Sequence, residues 1–156
     1  MDLNLPEYEY RLEKGNDGVS RIYDRLRKKF VVLTPEEWVR QHFVNFLITT
    51  LNYPEALMAN EVSLKLNKTS RRCDTVVYSH EGRPVAVVEY KAPSVNITQK
   101  VFDQIARYNS VIGACCLIVS NGMSHYCCRF DHKRQSYSFL RELPQYDLLE
   151  KVSGAD

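Results

Sequence analysis

The run Val85-Ala86-Val87-Val88 is apolar and β-branched enough to be a buried strand, and it ends in Glu89-Tyr90-Lys91. Strand side chains alternate faces with period two, so Glu89 and Lys91 share one face and Tyr90 takes the other. A carboxylate and an ammonium side by side at the end of a buried strand are costly to desolvate unless they neutralise each other or serve a bound ion. A second apolar run, Thr75-Val76-Val77-Tyr78, opens on Asp74, and Ser79-His80-Glu81-Gly82-Arg83 between the two runs is a turn signal. The predicted hairpin brings Asp74 back to Glu89.

Two converging carboxylates make a hard, oxygen-rich site suited to Mg²⁺ or Mn²⁺, which keep several waters and take further ligands from substrate phosphate. Lys91 beside such an ion is placed to orient an attacking water and to offset negative charge growing on phosphoryl oxygens. An E-x-K triplet standing alone is more simply a strand-end salt bridge, worth about 0–1 kcal/mol. The hairpin and its flanking motifs favour the metal site.

With 156 residues, 44% hydrophobic and 26% charged, the chain is predicted to form one soluble domain, residues 1–156, with an N-terminal β extension over 1–33 and core motifs over 34–130. A net charge of +2 is too small to indicate nucleic-acid binding by itself. Any basic surface must be local, with Arg25 to Lys29, Arg71-Arg72 and Lys133-Arg134 as candidates. No apolar stretch approaches the about 20 residues of a membrane span, and the start Met1-Asp2-Leu3 does not resemble a signal peptide, so a cytoplasmic protein without membrane contact is expected. Five cysteines, four of them in the doublets Cys115-Cys116 and Cys127-Cys128, form no disulfide framework and read as buried small hydrophobes.

Tyr8 to Leu12 and Phe30 to Leu33 suggest short N-terminal strands. Thr34-Pro35-Glu36-Glu37 is a helix start with Thr34 as N-cap, and the helix is predicted to run to about Leu51 on a stripe that includes Val39, Phe43 and Leu47. Glu61 to Leu66 alternates as a strand. After the hairpin, Thr98 caps a second helix reaching about Val111, with Val101, Ile105, Tyr108 and Ile112 on one stripe. Ala114 to Ser120 is a buried strand, Asn121-Gly122 turns it into Tyr126 to Phe130, and Tyr137 to Leu140 adds an edge strand. The order implies an α/β fold, a central mixed sheet with a helix on each face, in which the Glu89 and Ala114 strands run parallel through a helical crossover.

Several pieces together resemble the PD-(D/E)XK nuclease superfamily, most closely the domain at the N-terminus of type I restriction enzyme R subunits and its stand-alone bacterial forms. They are Thr34 to Gln41, Tyr53-Pro54, Arg71-Arg72-Cys73-Asp74, Val88-Glu89-Tyr90-Lys91-Ala92-Pro93, the Q-x-x-x-Y of Gln104 to Tyr108, and Ser120-Asn121-Gly122. The resemblance implies a restriction-endonuclease-like αβββαβ core. It implies that Asp74 and Glu89 hold a divalent ion, that Lys91 assists the water, and that Gln104 and Tyr108 support substrate or site. It also implies a further metal ligand, either Glu37 or Glu61. The expected activity is Mg²⁺- or Mn²⁺-dependent hydrolysis of DNA phosphodiesters in restriction, defence or repair. The alternatives are a nucleic-acid-binding module on the same fold, or a subunit active only in a larger assembly. Partners implied are DNA, a helicase, translocase or methyltransferase, and a second copy in a homodimer. This chain carries no G-x-x-x-x-G-K-[ST], so it has no ATP-driven motor of its own.

Overall fold

The computed structural model describes residues 2–66, 69–131 and 133–154. Six strands form the central sheet in the order β4-β5-β6-β7-β8-β9: β4 (Met58–Leu66), β5 (Thr69–Tyr78), β6 (Pro84–Tyr90), β7 (Cys116–Ser120), β8 (His125–Asp131) and β9 (Ser136–Leu140). Neighbours are antiparallel except β6 and β7, which are parallel and joined through helix α2 (Gln99–Ile112). Parallel neighbours require such a crossover, and the mixed sheet with a helix on each face follows.

Helix α1 (Pro35–Thr49) begins where Thr34 Oγ1 accepts the Glu37 amide at 3.0 Å, with Pro35 in the first turn. Its Val39, Phe43 and Leu47 pack with Val88, Tyr90 and Ile118 on one face of the sheet. The apolar stripe is only part of what it buries, because Glu37, Arg40, Gln41, His42 and Asn45 are also buried. The cover over these polar positions comes from the N-terminal region. There, β1 (Leu12–Lys14), β2 (Ser20–Asp24) and β3 (Lys29–Val32) form a separate three-stranded antiparallel sheet. Tyr8 and Tyr10 meet His42 and Trp38 edge-on at 4.9 Å each, and Arg25 donates to Asn45 at 3.0 Å. Of the stretch Tyr8 to Leu12, expected as a strand, only Leu12 enters a ladder, as the first residue of β1. The rings of Tyr8 and Tyr10 serve as a lid on α1 instead.

Helix α2 covers the other face, where Phe102, Ile105 and Ala106 pack on Leu117, Val119 and Cys128. Among the described side chains of α2 the buried ones are Phe102, Ile105, Ala106 and Asn109, while Val101 and Ile112 of the expected stripe are partly buried against the core. Gly113, in the left-handed region at φ 80°, closes this helix with its amide on Asn109 O. A third helix, α3 (Tyr146–Gly154), which the sequence did not announce, returns to the α1 side. Tyr146 and Leu149 join the core there, and Tyr53 Oη donates to Pro144 O at 2.8 Å. All five cysteines are buried and none is in a disulfide. No helix among the described residues is long and apolar enough to cross a membrane.

Candidate active site

Asp74 sits in the middle of β5 rather than at its start, because the β4–β5 pairing continues to Leu66 and Thr69 beyond it. On the β6 side, the register runs Val77–Ala86, Val76–Val87, Thr75–Val88, and one further step sets Asp74 beside Glu89. Directly opposed residues of an antiparallel pair have Cβ atoms about 4.5–5.5 Å apart. The Tyr90 amide, which a regular ladder would give to a β5 carbonyl, donates to Asp74 Oδ2 at 2.9 Å. The carboxylate thus lies across the end of β6. Glu89 is buried at 8% exposure and Lys91 is half-buried. Lys91 continues the β6–β7 pairing, with its amide on Ser120 O at 2.9 Å.

Alternation sends Tyr90 to the α1 face. There its ring packs on Phe43, and its hydroxyl meets Thr75 Oγ1 at 2.9 Å. Thr75 in turn donates to Asn60 Oδ1 at 2.6 Å, and Asn60 Nδ2 donates to Asp24 Oδ2 at 3.0 Å. Burial alone would raise the Asp24 pKa. The Arg27 amide, the Asn60 amide group and the Arg27 guanidinium outweigh it and hold the carboxyl below its ordinary value.

Between the paired residues Asn60–Thr75 and Val62–Cys73, the ladder skips Glu61 and Asp74, and Glu61 adopts φ 57°. A left-handed conformation in a non-glycine residue costs of order 1–3 kcal/mol and persists only where its surroundings impose it. At this point Arg40 bridges α1 to both strands. Its Nη2 reaches Glu61 Oε1 at 2.6 Å and its Nη1 donates to the Asp74 carbonyl at 2.9 Å. Its Nε stands 2.9 Å from Glu37 Oε2, an ion pair outside hydrogen-bond alignment. Glu37 also takes Arg27 at 2.8 Å and Gln41 at 2.9 Å, and Glu61 takes Arg72 at 2.9 Å. Glu37 and Glu61, the two candidates for an additional metal ligand, are thus both held by arginines.

Gln104 is exposed on α2, away from the buried stripe, so helix packing does not draw it to the Asp74–Glu89 pair. The backbone of Tyr108 lies in α2, and its side chain falls outside the described residues. Ser120-Asn121-Gly122 supports the loop that follows Lys91. Asn121 Nδ2 donates to Val95 O at 2.8 Å, while its Oδ1 accepts the amides of Met123 and Ser124 at 2.9 and 2.8 Å. Sequence reasoning singled out neither Arg40 nor the Asn60–Thr75–Tyr90 relay. The available signals were a lone arginine in a helix rich in buried polar residues and a polar residue at the start of each apolar run. Among the described residues no three His, Cys, Asp or Glu side chains converge as a metal site. A divalent ion would draw on this carboxylate pair, since Mg²⁺ usually takes one or two carboxylates beside water and phosphate.

The mixed sheet, the helix on each face and the acidic strand ends define a restriction-endonuclease-like α/β domain. The chain belongs to the family described as the type I restriction enzyme R protein N terminus, whose model matches residues 35–144. Among solved structures it is similar to the fragment structure of a putative HsdR subunit of a type I restriction enzyme from Vibrio vulnificus YJ016. That chain is 20% identical at a TM-score of 0.55, and the match covers 78% of this chain and 26% of the other. A DrdV–DNA complex is 15% identical over 76% of this chain and 12% of that one, at a TM-score of 0.46. This chain thus spans about a quarter or less of the proteins whose structures it matches. No curated protein sequence matches it.

Proposed function

We propose that the protein is a divalent-metal-dependent DNA endonuclease of restriction, defence or repair type, and that Asp74, Glu89 and Lys91 are its catalytic centre. The observation that supports the reading is the β5–β6 register, which continued one step past Thr75–Val88 sets Asp74 opposite Glu89, together with the Tyr90 amide on the Asp74 carboxylate and Lys91 two residues beyond Glu89. The oxygen donors of Asp74 and Glu89 suit Mg²⁺ or Mn²⁺. When bound, such an ion supplies an activated water and neutralises charge at the phosphate. The Tyr90 amide holds the Asp74 carboxylate in place, and Arg40 fixes the backbone behind it. Lys91 stabilises the charge that develops on the phosphoryl oxygens as the 3′-oxygen leaves. The family resemblance, rather than any described contact, keeps Gln104 and Tyr108 of α2 as candidates for substrate contact. Of the two upstream carboxylates, Glu61 is the one that joins the site, because it shares with Asp74 the step skipped in the β4–β5 ladder and can exchange Arg40 and Arg72 for the ion.

A paired carboxylate argues against a pure binding module, since without a metal it repels phosphate. A second reading, a subunit active only beside a motor or methyltransferase partner, is favoured by the 26% share of the HsdR fragment that the chain covers. The test is cleavage of supercoiled, linear and branched DNA with Mg²⁺, Mn²⁺ or EDTA, by the wild type and Asp74→Ala. Metal-dependent cleavage lost in Asp74→Ala supports the enzyme. Inactivity of the wild type on every substrate, restored by a partner encoded nearby, supports the subunit.

A further inference from the structure

The sheet carries one row of residues from the carboxylate pair to a cavity on the α2 face. Glu89 is in register with Val119 on β7, and Val119 with Tyr126 on β8. The β8–β9 register, continued one step past Cys127–Leu140, places Arg141 opposite Tyr126. Neighbouring strands are about 4.8 Å apart, so Tyr126 stands about 10 Å from Glu89 along the same face and at the same end of the sheet. A cavity of about 500 Å³ opens at this point between the first turn of α2 and the last two strands, lined by Ile97, Gln99, Phe102, Tyr126, Phe139 and Arg141.

The lining is unusual for a solvent-facing surface. Phe139 is 52% exposed and Tyr126 is 40% exposed, and both rank among the exposed large hydrophobic residues. Register places Phe139 opposite Cys128, two residues along from Tyr126, so the two rings stand on one face. Phe102 backs Phe139 at a centroid distance of 4.8 Å. The rings are held by a helix and two strands rather than by a loop, which fixes their planes before any ligand arrives. Arg141 adds a cation at the rim.

We propose that this cavity takes an unstacked base of the DNA strand being cut, a nucleotide flanking the scissile phosphate, with Phe139 and Tyr126 as the stacking platform and Arg141 on the adjoining phosphate. The proposal rests on the nuclease reading for where the phosphate sits, and it extends that reading to the form of the substrate. A separation of about 10 Å equals about three stacked rises of 3.4 Å, and fewer when the backbone is extended, so the base lies within three nucleotides of the cut. Aromatic faces accept every base, so the pocket selects unstacked strands, at ends, branches or distortions, rather than a sequence. The charge on Arg141 and the continuity with the carboxylate row favour this occupant over an apolar peptide.

The test uses the full chain in EDTA, where no cleavage occurs, and short single-stranded oligonucleotides carrying 2-aminopurine at successive positions. Quenching at one position, together with binding weakened about 5- to 150-fold in Phe139→Ala and in Tyr126→Ala, is expected for the loss of one stacked base. An abasic residue at the quenched position should abolish the difference between Phe139→Ala and wild type. Arg141→Gln should lower the salt slope of binding by about one unit. Two exposed positions are probed, so a folding defect in one variant leaves the other. Unchanged affinity in both variants, or no quenching at any position, overturns the pocket, and it does so even if metal-dependent cleavage is intact. Quenching and variant effects in a protein that never cleaves DNA would sustain the pocket and sink the nuclease reading.

Discussion

Replacing Arg40 by methionine keeps the length and apolar stem of the side chain and removes its charge, so it isolates the bridge between α1 and the strand ends. The arginine side chain is 9% accessible, Glu37 is 7% and Glu61 is 21%. Removing one partner of a buried ion pair costs about 3–5 kcal/mol, because the charge left behind is uncompensated. The low end applies here, since Glu37 keeps Arg27 and Gln41, and Glu61 keeps Arg72. With a urea m-value of about 2 kcal/mol/M, a loss of about 3 kcal/mol moves the unfolding midpoint down by about 1.5 M. In a chain of this length the same loss lowers Tm by about 6–12 °C. Trp38, the single tryptophan, lies two residues away on α1 and reports the transition by fluorescence. Glu61→Gln in the Arg40→Met background removes one orphaned charge, so the double variant should be more stable than the sum of the single losses by about 0.5–3 kcal/mol. A single-variant loss below about 1 kcal/mol, the range of a surface ion pair, would refute the bridge as a structural element. Strict additivity of the two substitutions would refute the Arg40–Glu61 part of it.

Lys91→Ala should lower cleavage by roughly 10²–10³ while Mn²⁺ binding followed calorimetrically survives, whereas Asp74→Ala should lose both; wild-type activity in Lys91→Ala would remove Lys91 from the chemistry. Burial lowers the pKa of His42 and of His125 from the ordinary histidine value. The unfolded chain therefore binds more protons below about pH 6.5, and stability should fall as pH drops from there toward the depressed folded values. His125→Asn should flatten that slope in a pH series of urea midpoints, and an unchanged slope would contradict the assignment. The thiols should be inert, since all five are buried and burial pushes Cys128 up to about 12. A thiol-specific chromogenic reagent should label none in the native protein and five after unfolding, and rapid native labelling would show that the core opens.

The local signals were readable and the long-range ones were not. Thr34-Pro35 marked the start of α1 because a side-chain cap and a proline without an N–H are decided within four residues. The valine run and the Ser79–Arg83 turn fixed the β5–β6 hairpin for the same reason. Strand β2 was missed because Ser20-Arg21-Ile22-Tyr23-Asp24 buries only Ile22 and Asp24, and the aspartate is stabilised by Arg27 and Asn60, partners no local pattern reveals. Asp74 was set at the start of its strand because the apolar run begins just after it, while Arg71 and Arg72 carry no apolar alternation. They belong to a ladder that projects past the acid, where apolar alternation is not required. In α1, hydrophobic spacing located Val39, Phe43 and Leu47. It was silent on Arg40, whose partners are 21 and 34 residues further along the chain.

The family match begins at residue 35, yet the hydrogen-bond chain behind the carboxylates crosses that boundary. Asp24 accepts from Asn60, Arg27 donates to Glu37, and the rings of Tyr8 and Tyr10 close over α1. A fragment cut to the edge of detectable kinship would keep every catalytic candidate and strip the electrostatic partners from two of the residues that hold them. The stretch matched by the family model and the stretch joined by these hydrogen bonds therefore differ in this molecule. An inactive trimmed fragment would be evidence about the cut rather than about the enzyme.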